Sequence, residues 1–418
     1  MKVWLTQISE PLPIRPGVRK LRTAMLADKL VERGHEVLWW TSAFDHFNKR
    51  MLFERDTELG PKPGLRIRAL RGMPYRRNVS LERYMDHRLI ACKFVANATR
   101  EPTPDIVVAS MPDHWTAYEA VRYAKSRKVP VVVDIRDRWP DMFVDMVPRA
   151  LAPLVKFVLL DDFRRLRIAL RGADATTSMM EDLLAWGLNR ACRARGPRDR
   201  VFYLGAEPLP LSSESELSEE VRSLLRRLER KFIVTYVGTF GVYNSPDVVV
   251  DAARQLNDGA RGDRFAFVLA GHGPLLDRVR RRAAGMANIY LTGWLRPAEI
   301  SAVLARSSAG VVPMNITEGA FPNKVFLYTS GSVPIVTSAQ GELREMIRNL
   351  AFGEYFPPND AAALSAVLRR WEEQPRLVHD LQENARRVHV ERFDADAIYS
   401  QFADYLERVA FHRPEGMN

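Results

Sequence analysis

The sequence predicts an α/β protein with two doubly wound parallel sheets, one in each half of the chain. The chain has 418 residues, well beyond the ~150 residues of an ordinary domain. In each half, short β-branched segments alternate with segments of helical apolar spacing, which is typical of parallel sheets covered by helices. The alternation stops at 208–230, where a Pro-, Ser- and Glu-rich opening leads into a helix, and then restarts.

Each predicted element follows from a local pattern. An apolar strand is predicted at 3–8, and a helix over 21–32 ends at Gly34. Further strands are predicted at 35–40, 105–109, 129–135 and 175–178 in the first half, and at 232–238, 265–270, 289–292, 309–313 and 333–337 in the second.

This order of elements predicts the domain organisation. We expect a first domain over 1–207, a linker and helix over 208–230, and a second domain over 231–394. Open parallel sheets bind ligands beyond the carboxyl ends of their strands. The strand-end loops of both domains are therefore expected to line a cleft between them.

The charge of the chain is unevenly distributed. Of 62 basic and 51 acidic residues, 37 and 24 lie in 1–205, which gives this part +13 and the remainder −2. The basic half favours an anionic partner: a phosphorylated substrate, an acidic lipid surface or nucleic acid. Nucleic acid is disfavoured because no stacking-aromatic or recognition-helix pattern accompanies the charge. The segment 147–171 mixes apolar and cationic side chains, which fits a membrane-interface helix as well as a core-facing one, and the charge favours the membrane.

The cysteine count and the termini indicate the compartment. Cys92 and Cys192 are too few for a disulfide framework, so a reducing compartment is expected. No apolar segment approaches the ~18 residues of a membrane span. The first residues lack the apolar core of a signal peptide, and a cytoplasmic protein is expected, peripheral on the inner face of the membrane.

Motifs of several enzyme classes are missing from the sequence. It contains no GxxxxGK[ST] or GxGxxG, which argues against an NTPase or a dinucleotide enzyme. GxSxG, HExxH and CxxC are also absent, and the eight histidines show no metal-ligand spacing. We therefore expect neither a metal nor another cofactor.

Three loops of the second half have the composition of an anion site. Each follows a predicted strand, contains glycine and leads into a helix, whose first N–H groups are free to bind an anion. They are Gly238-Thr239-Phe240-Gly241, Gly271 with the residues after it, and 317–324, which includes Glu318, Gly319, Phe321, Pro322, Asn323 and Lys324. A cation at a helix start opposes the helix dipole unless an anion is bound, so Lys324 is the best phosphate-binding candidate. An ordinary strand–helix turn and a solvated lysine are the alternatives.

The first half carries its charges at strand ends as well. The loop 134–140 (DIRDRWP) places Arg136 and Asp137 there, either for a functional task or in an Arg–Asp structural network. Arg15, Arg19 and Lys20 surround Gly17 in a second cationic loop. His114 also follows a strand and is predicted to face the cleft, although a lone histidine is more often structural.

These motifs resemble those of the GT-B glycosyltransferases, in particular the GT4-like retaining enzymes of bacterial O-antigen and capsule assembly. The likeness covers nearly the whole chain and depends on the order of its segments, which are RGHEV at 33–37, DIRDRWP at 134–140, YVGTFG at 236–241, GHGP at 271–274 and FPNKVFLY at 321–328 with Pro334. The resemblance implies two Rossmann-like domains, with a nucleotide-sugar donor on the second and the acceptor on the first. It also implies that the last helix, roughly 395–409, crosses back to the first domain.

The resemblance also implies roles for individual residues. Arg136, Asp137 and Glu318 fall near the transferred sugar and are the expected catalytic residues. The implied donor-binding residues are Gly17, Gly238, Thr239, Gly241, Gly271, Gly319, Phe321, Pro322, Asn323, Lys324 and Leu327. Arg15, Arg19, Lys20 and His114 are assigned to the acceptor.

Three departures from the family pattern fall in the second half, and two of them concern contacts with the donor. Relatives usually have a ribose-binding glutamate where this chain has Leu327, and a glycine where it has Ser332. The arginine–lysine pair that many relatives place after the first diphosphate turn is missing from 242–247. These departures imply either an altered mode of donor binding or a chain that has lost transferase activity.

The expected function is retaining transfer of a sugar from a nucleotide-diphosphate donor to a lipid-linked saccharide in cell-surface polysaccharide synthesis. An anionic membrane is an expected further partner. A sugar-nucleotide 2-epimerase of the same fold is the enzymatic alternative, and it would bind UDP-GlcNAc without an acceptor. A degenerate glycosyltransferase acting as a binding or scaffold subunit is the non-enzymatic alternative, motivated by Leu327.

Overall fold

The computed structural model describes residues 1–15, 18, 20–210, 213–257, 262–315 and 321–411. The chain forms two compact units. Unit 1 comprises Met1–Tyr203 together with the chain from Ala397 onward, and unit 2 comprises Leu204–Asp396. The 208–230 segment therefore lies within unit 2, where its helical part packs under the sheet through Val221, Leu224 and Leu225.

The described part of unit 1 contains an eight-stranded sheet and a two-stranded hairpin. The strands are β1 (Lys2–Thr6), β2 (Glu36–Ser42), β3 (Phe44–Asp45), β4 (Arg50–Met51), β5 (Thr57–Lys62), β6 (Leu65–Leu70), β7 (Ile106–Ser110), β8 (Val131–Ile135), β9 (Ala175–Ser178) and β10 (Arg200–Val201). The sheet order is β10-β9-β8-β7-β1-β2-β6-β5, with β5 antiparallel to β6 and the other pairs parallel, while β3 and β4 form the hairpin. The central strands are buried on both faces, as in a sheet covered by helices on each side.

Helices connect these strands. They are α1 (Arg22–Glu32), α2 (Leu81–Ala98), α3 (His114–Ser126), α4 (Asp141–Asp145), α5 (Ala152–Val158), α6 (Leu160–Gly172) and α7 (Glu181–Ala191). Ser80 and Asp113 cap α2 and α3 by accepting hydrogen bonds from the N–H groups of Arg83 and Thr116.

Unit 2 contains a six-stranded parallel sheet within its described residues. Its strands are β11 (Phe232–Val237), β12 (Phe265–Ala270), β13 (Ile289–Gly293), β14 (Ala309–Val312), β15 (Ile335–Thr337) and β16 (Gly353–Tyr355). Its helices are α8 (Glu219–Arg227), α9 (Pro246–Asn257), α10 (Leu276–Ala283), α11 (Pro297–Leu304), α12 (Lys324–Ser330), α13 (Glu342–Leu350), α14 (Ala361–Glu373) and α15 (Pro375–Val388). The order β13-β12-β11-β14-β15-β16 is the Rossmann order, with its switch point between β11 and β14.

The last helix, α16 (Ala395–Phe411), packs on unit 1. Arg33 pairs with Asp404 at 2.5 Å, and the Tyr405 hydroxyl donates to the Arg198 carbonyl at 2.8 Å. The rings of Phe202 and Phe402 stack with their centroids 4.3 Å apart. These contacts join the end of the chain to the unit in which it begins.

The predicted α/β class and the two doubly wound sheets are confirmed, and most strands lie where their patterns place them. Six strands were missed because their signals are weak: β6 carries arginines at alternate positions, β5 is a polar edge strand, β16 has three residues, and β3, β4 and β10 have two residues each. The basic segment 147–171 is not one helix, because α5 ends at a turn at Leu159 before α6 begins.

Candidate functional site

The candidate site of unit 2 lies at the carboxyl end of β11, beside its switch point. β11 pairs with β14 on one side and with β12 on the other. The described residues that follow these strands are 238–245, 271–275, and 313–315 with 321–323. Parallel strands direct these loops to one edge of the sheet, where the Rossmann arrangement places its ligand.

Two of these loops are bonded to each other through their backbones. The Gly238 N–H donates to the Ala270 carbonyl at 2.9 Å, and the Phe240 N–H donates to the His272 carbonyl at 3.0 Å. Gly271 has φ +140°, and a β-carbon there would lie 1.9 Å from the Gly238 carbonyl oxygen. Only glycine permits this close approach of the two backbones. The 271–274 motif therefore holds the first loop in place.

The remainder of the first loop is held by side chains. The carbonyl of Thr239 accepts hydrogen bonds from the Tyr236 hydroxyl at 2.6 Å and from Asn244 Nδ2 at 3.1 Å. Gly241 has ordinary extended backbone, and a β-carbon there would meet nothing closer than 3.7 Å. The two glycines of this motif therefore differ, because Gly238 has φ +144° and Gly241 has a conformation open to any residue.

Helix α12 places Lys324 over the first loop. Four residues further along this helix, the buried Tyr328 hydroxyl accepts from the Val237 N–H at 2.8 Å and donates to the Thr235 carbonyl at 3.1 Å. Residues four apart lie on one face of a helix. The tyrosine therefore fixes α12 against β11 and directs Lys324 to the Gly238 turn, where a β-carbon on the glycine would lie 3.5 Å from Nζ.

The ammonium group of Lys324 has little to compensate its charge. Nζ lies 3.1 Å from Asn244 Oδ1 and 4.3 Å from the centroid of the Tyr236 ring. In the part of the chain that the structure describes, no carboxylate lies within ion-pair distance of it. Burial lowers the pKa of Lys324 to about 7. The lysine is therefore poised to become fully charged when an anion binds beside it.

The other predicted donor residues lie around the start of α12. Phe321 stacks on Phe326 with 5.3 Å between centroids, and the Pro322 carbonyl accepts from the Val325 N–H at 3.0 Å. Asn323 is exposed and its side chain makes no capping hydrogen bond. Leu327 is partly buried on the first turn.

Four predicted residues lie outside the described part of the chain. They are Gly17, Arg19, Glu318 and Gly319. Their assigned roles in donor and acceptor binding and in catalysis stay predictions.

The charged strand-end loop of unit 1 forms a closed ion network around Asp134. Arg22 donates to this buried carboxylate through Nε at 2.9 Å and through Nη2 at 2.8 Å. Arg136 Nε and the Thr177 hydroxyl each donate to it at 2.8 Å. Burial alone would raise the pKa of Asp134, but the two guanidinium groups hold it well below its usual range.

Arg136 is fully engaged in this network. Besides Asp134 it pairs with Glu10, and its Nη2 donates to the hydroxyls of Thr23 and Ser110, each at 2.9 Å. The Arg–Asp structural network that the sequence allowed is therefore present, and the catalytic role of Arg136 stays a prediction. Asp137 accepts from the Arg138 N–H at 2.8 Å, and burial raises the pKa of its carboxyl group.

The predicted acceptor residues are in different environments. Arg15 lines a pocket of about 170 Å³ together with Glu10, Phe44, Asn48 and Arg50. Lys20 is exposed and pairs with Asp28 at 2.6 Å.

The expectation that His114 faces an open cleft is wrong. The side chain is buried at the start of α3, and Nε2 lies 2.7 Å from Asp162 Oδ1. The Trp115 indole donates to the same carboxylate oxygen at 3.1 Å. The residue follows a strand, as predicted, but its ring points into unit 1, which is the commoner role of a lone histidine.

Sequence reasoning missed several residues that shape these sites. Glu10 and Asp134 complete the unit 1 network, while Tyr236 and Asn244 contact the ammonium group in unit 2. Asp134 was visible as part of the DIRDRWP loop. Tyr236 was visible as the first residue of YVGTFG, but the direction of its hydroxyl depends on the turn that follows, where it donates to the Thr239 carbonyl.

Comparison with known proteins identifies the fold. Residues 218–388 match the family model described as "Glycosyl transferases group 1". The comparison with curated protein sequences gives no match.

Solved structures match over almost the whole chain. HepE (Alr3699) of Anabaena in complex with UDP is 15% identical, covers 97% of this chain and 99% of its own, and gives a TM-score of 0.67. Sucrose-phosphate synthase (tll1590) of Thermosynechococcus elongatus is 15% identical, covers 98% of both chains and gives 0.72. WaaG, a glycosyltransferase involved in lipopolysaccharide biosynthesis, is 15% identical, covers 96% and 98%, and gives 0.62. The chain therefore has the GT-B fold with two Rossmann-like domains.

Proposed function

We propose that this chain, with its GT-B fold and its group 1 glycosyltransferase segment at 218–388, is a glycosyltransferase that uses a nucleotide-diphosphate sugar. The observation that carries the proposal is Lys324, a partly buried ammonium group that faces a glycine turn at a Rossmann switch point without a carboxylate among the described residues. In the proposed arrangement, a bound anion pairs with the ammonium group of Lys324. Several of the similar structures, HepE among them, contain UDP or a UDP sugar, which supports a diphosphate as that anion.

The proposed chemistry asks for charge stabilisation rather than covalent work by the protein. When the bond between the sugar and the diphosphate breaks, negative charge develops on the leaving phosphate. Lys324 stabilises that charge in a partly desolvated place, where an ion interaction is stronger than in water. The acceptor hydroxyl attacks on the face from which the diphosphate leaves and passes its proton to the departing phosphate oxygen, so the configuration at the anomeric carbon is retained. We expect transfer to need no added metal.

We further propose a lipid-linked saccharide as acceptor, in cell-surface polysaccharide synthesis of the GT4-like type at the cytoplasmic membrane face. The excess of basic residues in 1–205 supports a lipid-pyrophosphate substrate and acidic headgroups. The similarity to WaaG, a glycosyltransferase involved in lipopolysaccharide biosynthesis, also supports a role in cell-surface polysaccharide synthesis. The described part of the chain contains no helix long and apolar enough to span a membrane.

Calorimetry with UDP, GDP and dTDP tests the donor site. We expect one nucleotide to bind, and Lys324→Met to weaken it by on the order of tenfold to a hundredfold, as expected for loss of a charged hydrogen bond. Lys231→Met is the matched control, because Lys231 pairs with Asp263 at the opposite end of β11. Binding of no nucleotide by the folded protein, or equal weakening by both substitutions, would contradict the proposal.

A scaffold or binding subunit is the second candidate, favoured by Leu327 at the usual place of the ribose-binding glutamate. Such a protein would bind none of the three nucleotides and catalyse no transfer. A 2-epimerase would instead convert UDP-GlcNAc with no acceptor present, which product analysis by NMR distinguishes from transfer.

A further inference from the structure

Helix α5 of unit 1 contains no buried residue. Its apolar side chains are strongly exposed: Leu154 by 60%, Phe157 by 74% and Val158 by 70%. Leu151 before the helix and Leu160 after it are exposed by 49% and 63%. A helix of this composition ordinarily buries its apolar side chains, and a contiguous exposed set of them indicates a binding surface.

The next helix shows what a packed segment looks like in the same unit. In α6, Leu166, Ala169 and Leu170 are buried, while Ile168 is exposed. The turn at Leu159 separates the two helices. Helix α6 thus contributes to the core, and the apolar residues of 151–160 are left on the outside.

A second exposed apolar group adjoins the start of α6. The Tyr84 hydroxyl donates to Asp162 Oδ2 at 3.1 Å, which holds the first turns of α2 and α6 together. On α2, Leu81 is 73% exposed and Met85 is 40% exposed. A further pair of exposed apolar side chains therefore lies on α2, the helix that is joined to the start of α6.

Exposed cations accompany these side chains. They are Arg149, Lys156, Arg164, Arg167 and Arg171, all exposed. Within the described residues none of them forms an ion pair with a carboxylate, whereas their neighbour Arg165 pairs with Asp161 at 2.8 Å. We call the exposed side chains of Leu151, Leu154, Phe157, Val158 and Leu160, with Arg149, Lys156 and Arg164, the α5 surface.

We propose that the α5 surface docks on an anionic phospholipid bilayer. Apolar side chains flanked by cations match the two layers of a membrane interface, acyl chains beneath and acidic headgroups above. A second copy of this chain complements the surface less well, because a symmetric contact would place the same cations against each other. The proposal deepens the proposed function, since it depends on an acceptor that resides in the membrane.

Vesicle binding by the full chain tests this proposal without donor or acceptor. We expect binding to vesicles of phosphatidylcholine mixed with phosphatidylglycerol, weak binding to phosphatidylcholine alone, and weakening with added salt. The double variant Leu154→Ser/Phe157→Ser and the double variant Lys156→Glu/Arg164→Glu should each need about tenfold more lipid for half-maximal binding. Both substitutions lie on exposed positions, so folding and nucleotide binding should be unchanged.

Trp294→Ser is the matched control, because Trp294 of unit 2 is as exposed as Phe157, at 73%. Equal binding by the wild type and both double variants would overturn the proposal. So would equal binding to neutral and anionic vesicles, or a dimer in solution that the Leu154→Ser/Phe157→Ser variant separates while vesicles are not bound. Because nucleotide binding is measured separately, failure here is distinct from failure of the donor site.

Discussion

The positive charges at the strand ends have carboxylate partners in unit 1, whereas in unit 2 the partly buried Lys324 has none among the described residues. In unit 1, Arg22 and Arg136 surround the carboxylate of Asp134, and Glu10 completes the pairing. In unit 2, Lys324 has an amide oxygen and an aromatic ring as its described neighbours. A charge paired within the protein holds the structure together, whereas one without a counter-ion is available to a ligand. The comparison therefore predicts a stabilising role for the network of unit 1 and supports the proposed anion binding at Lys324 of unit 2.

The sharpest test of this contrast is removal of the shared carboxylate. Asp134→Ala leaves Arg22 buried without its counter-ion, and removing one partner of a buried pair costs about 3–5 kcal/mol. We expect a loss of this size in the free energy of unfolding of unit 1, measured by urea denaturation. Asp161→Ala is the control, because it breaks a pair with Arg165 in which the carboxylate is exposed, and it should cost less than about 1 kcal/mol. Similar losses in the two variants would show that the network is not structural.

The glycine turn of unit 2 gives the next largest effect. In Gly271→Ala the new β-carbon would overlap the Gly238 carbonyl oxygen, and the backbone would keep a φ of +140°. Overlap and strain together should lower the free energy of unfolding of unit 2 by about 2–3 kcal/mol, measured by thermal unfolding. Gly241→Ala should leave stability nearly unchanged, since no atom lies within 3.7 Å of its β-carbon. Equal effects at the two glycines would contradict the assigned loop geometry.

The same contrast explains what the sequence could predict. Strand positions, the two-sheet architecture and the importance of Lys324 follow from local patterns, because apolar runs and glycine turns leave a signal in consecutive residues. The partners of a charged side chain leave no such signal, because they can lie far away in the sequence. Arg136 pairs with Glu10, which lies 126 positions away in the chain, and with Asp134, two positions away. The sequence patterns favoured a functional arginine and left the structural one as the alternative. The inward direction of His114 depends in the same way on Asp162, 48 residues away.

The third test measures the proton that Lys324 is expected to take up when a nucleotide binds. Since burial lowers the pKa of Lys324 to about 7 and a bound diphosphate should raise it again, nucleotide binding above pH 7 should take up a proton. The affinity for the bound nucleoside diphosphate should then fall by up to about tenfold per pH unit between pH 7 and 9. Calorimetry in buffers of different ionisation enthalpy measures the uptake directly.

The free energy of unfolding should rise with pH over the range in which the nucleotide affinity falls. Without ligand, the unfolded chain holds a proton on this lysine up to about pH 10.5 and the folded chain loses it near 7, so the free energy of unfolding should rise with pH in that window. Lys324→Met should remove both dependences. An affinity that does not change between pH 7 and 9 would mean that the free lysine is already fully charged.

The smallest expected effect is at Leu327, which occupies the first turn of α12 three residues after Lys324. If unit 2 has kept its diphosphate site and lost only a ribose contact, Leu327→Glu should raise the affinity for the bound nucleoside diphosphate about fivefold, the value of roughly one hydrogen bond. Inorganic pyrophosphate is the discriminating ligand, because it lacks the ribose and its affinity should not rise. Leu327→Gln separates the effect of hydrogen bonding from that of charge. Equal gains for both ligands would mean that the glutamate acts on Lys324 by restoring its counter-ion rather than on the ribose. A loss for both would instead mean that the new carboxylate repels the diphosphate, and that Leu327 keeps this turn free of negative charge.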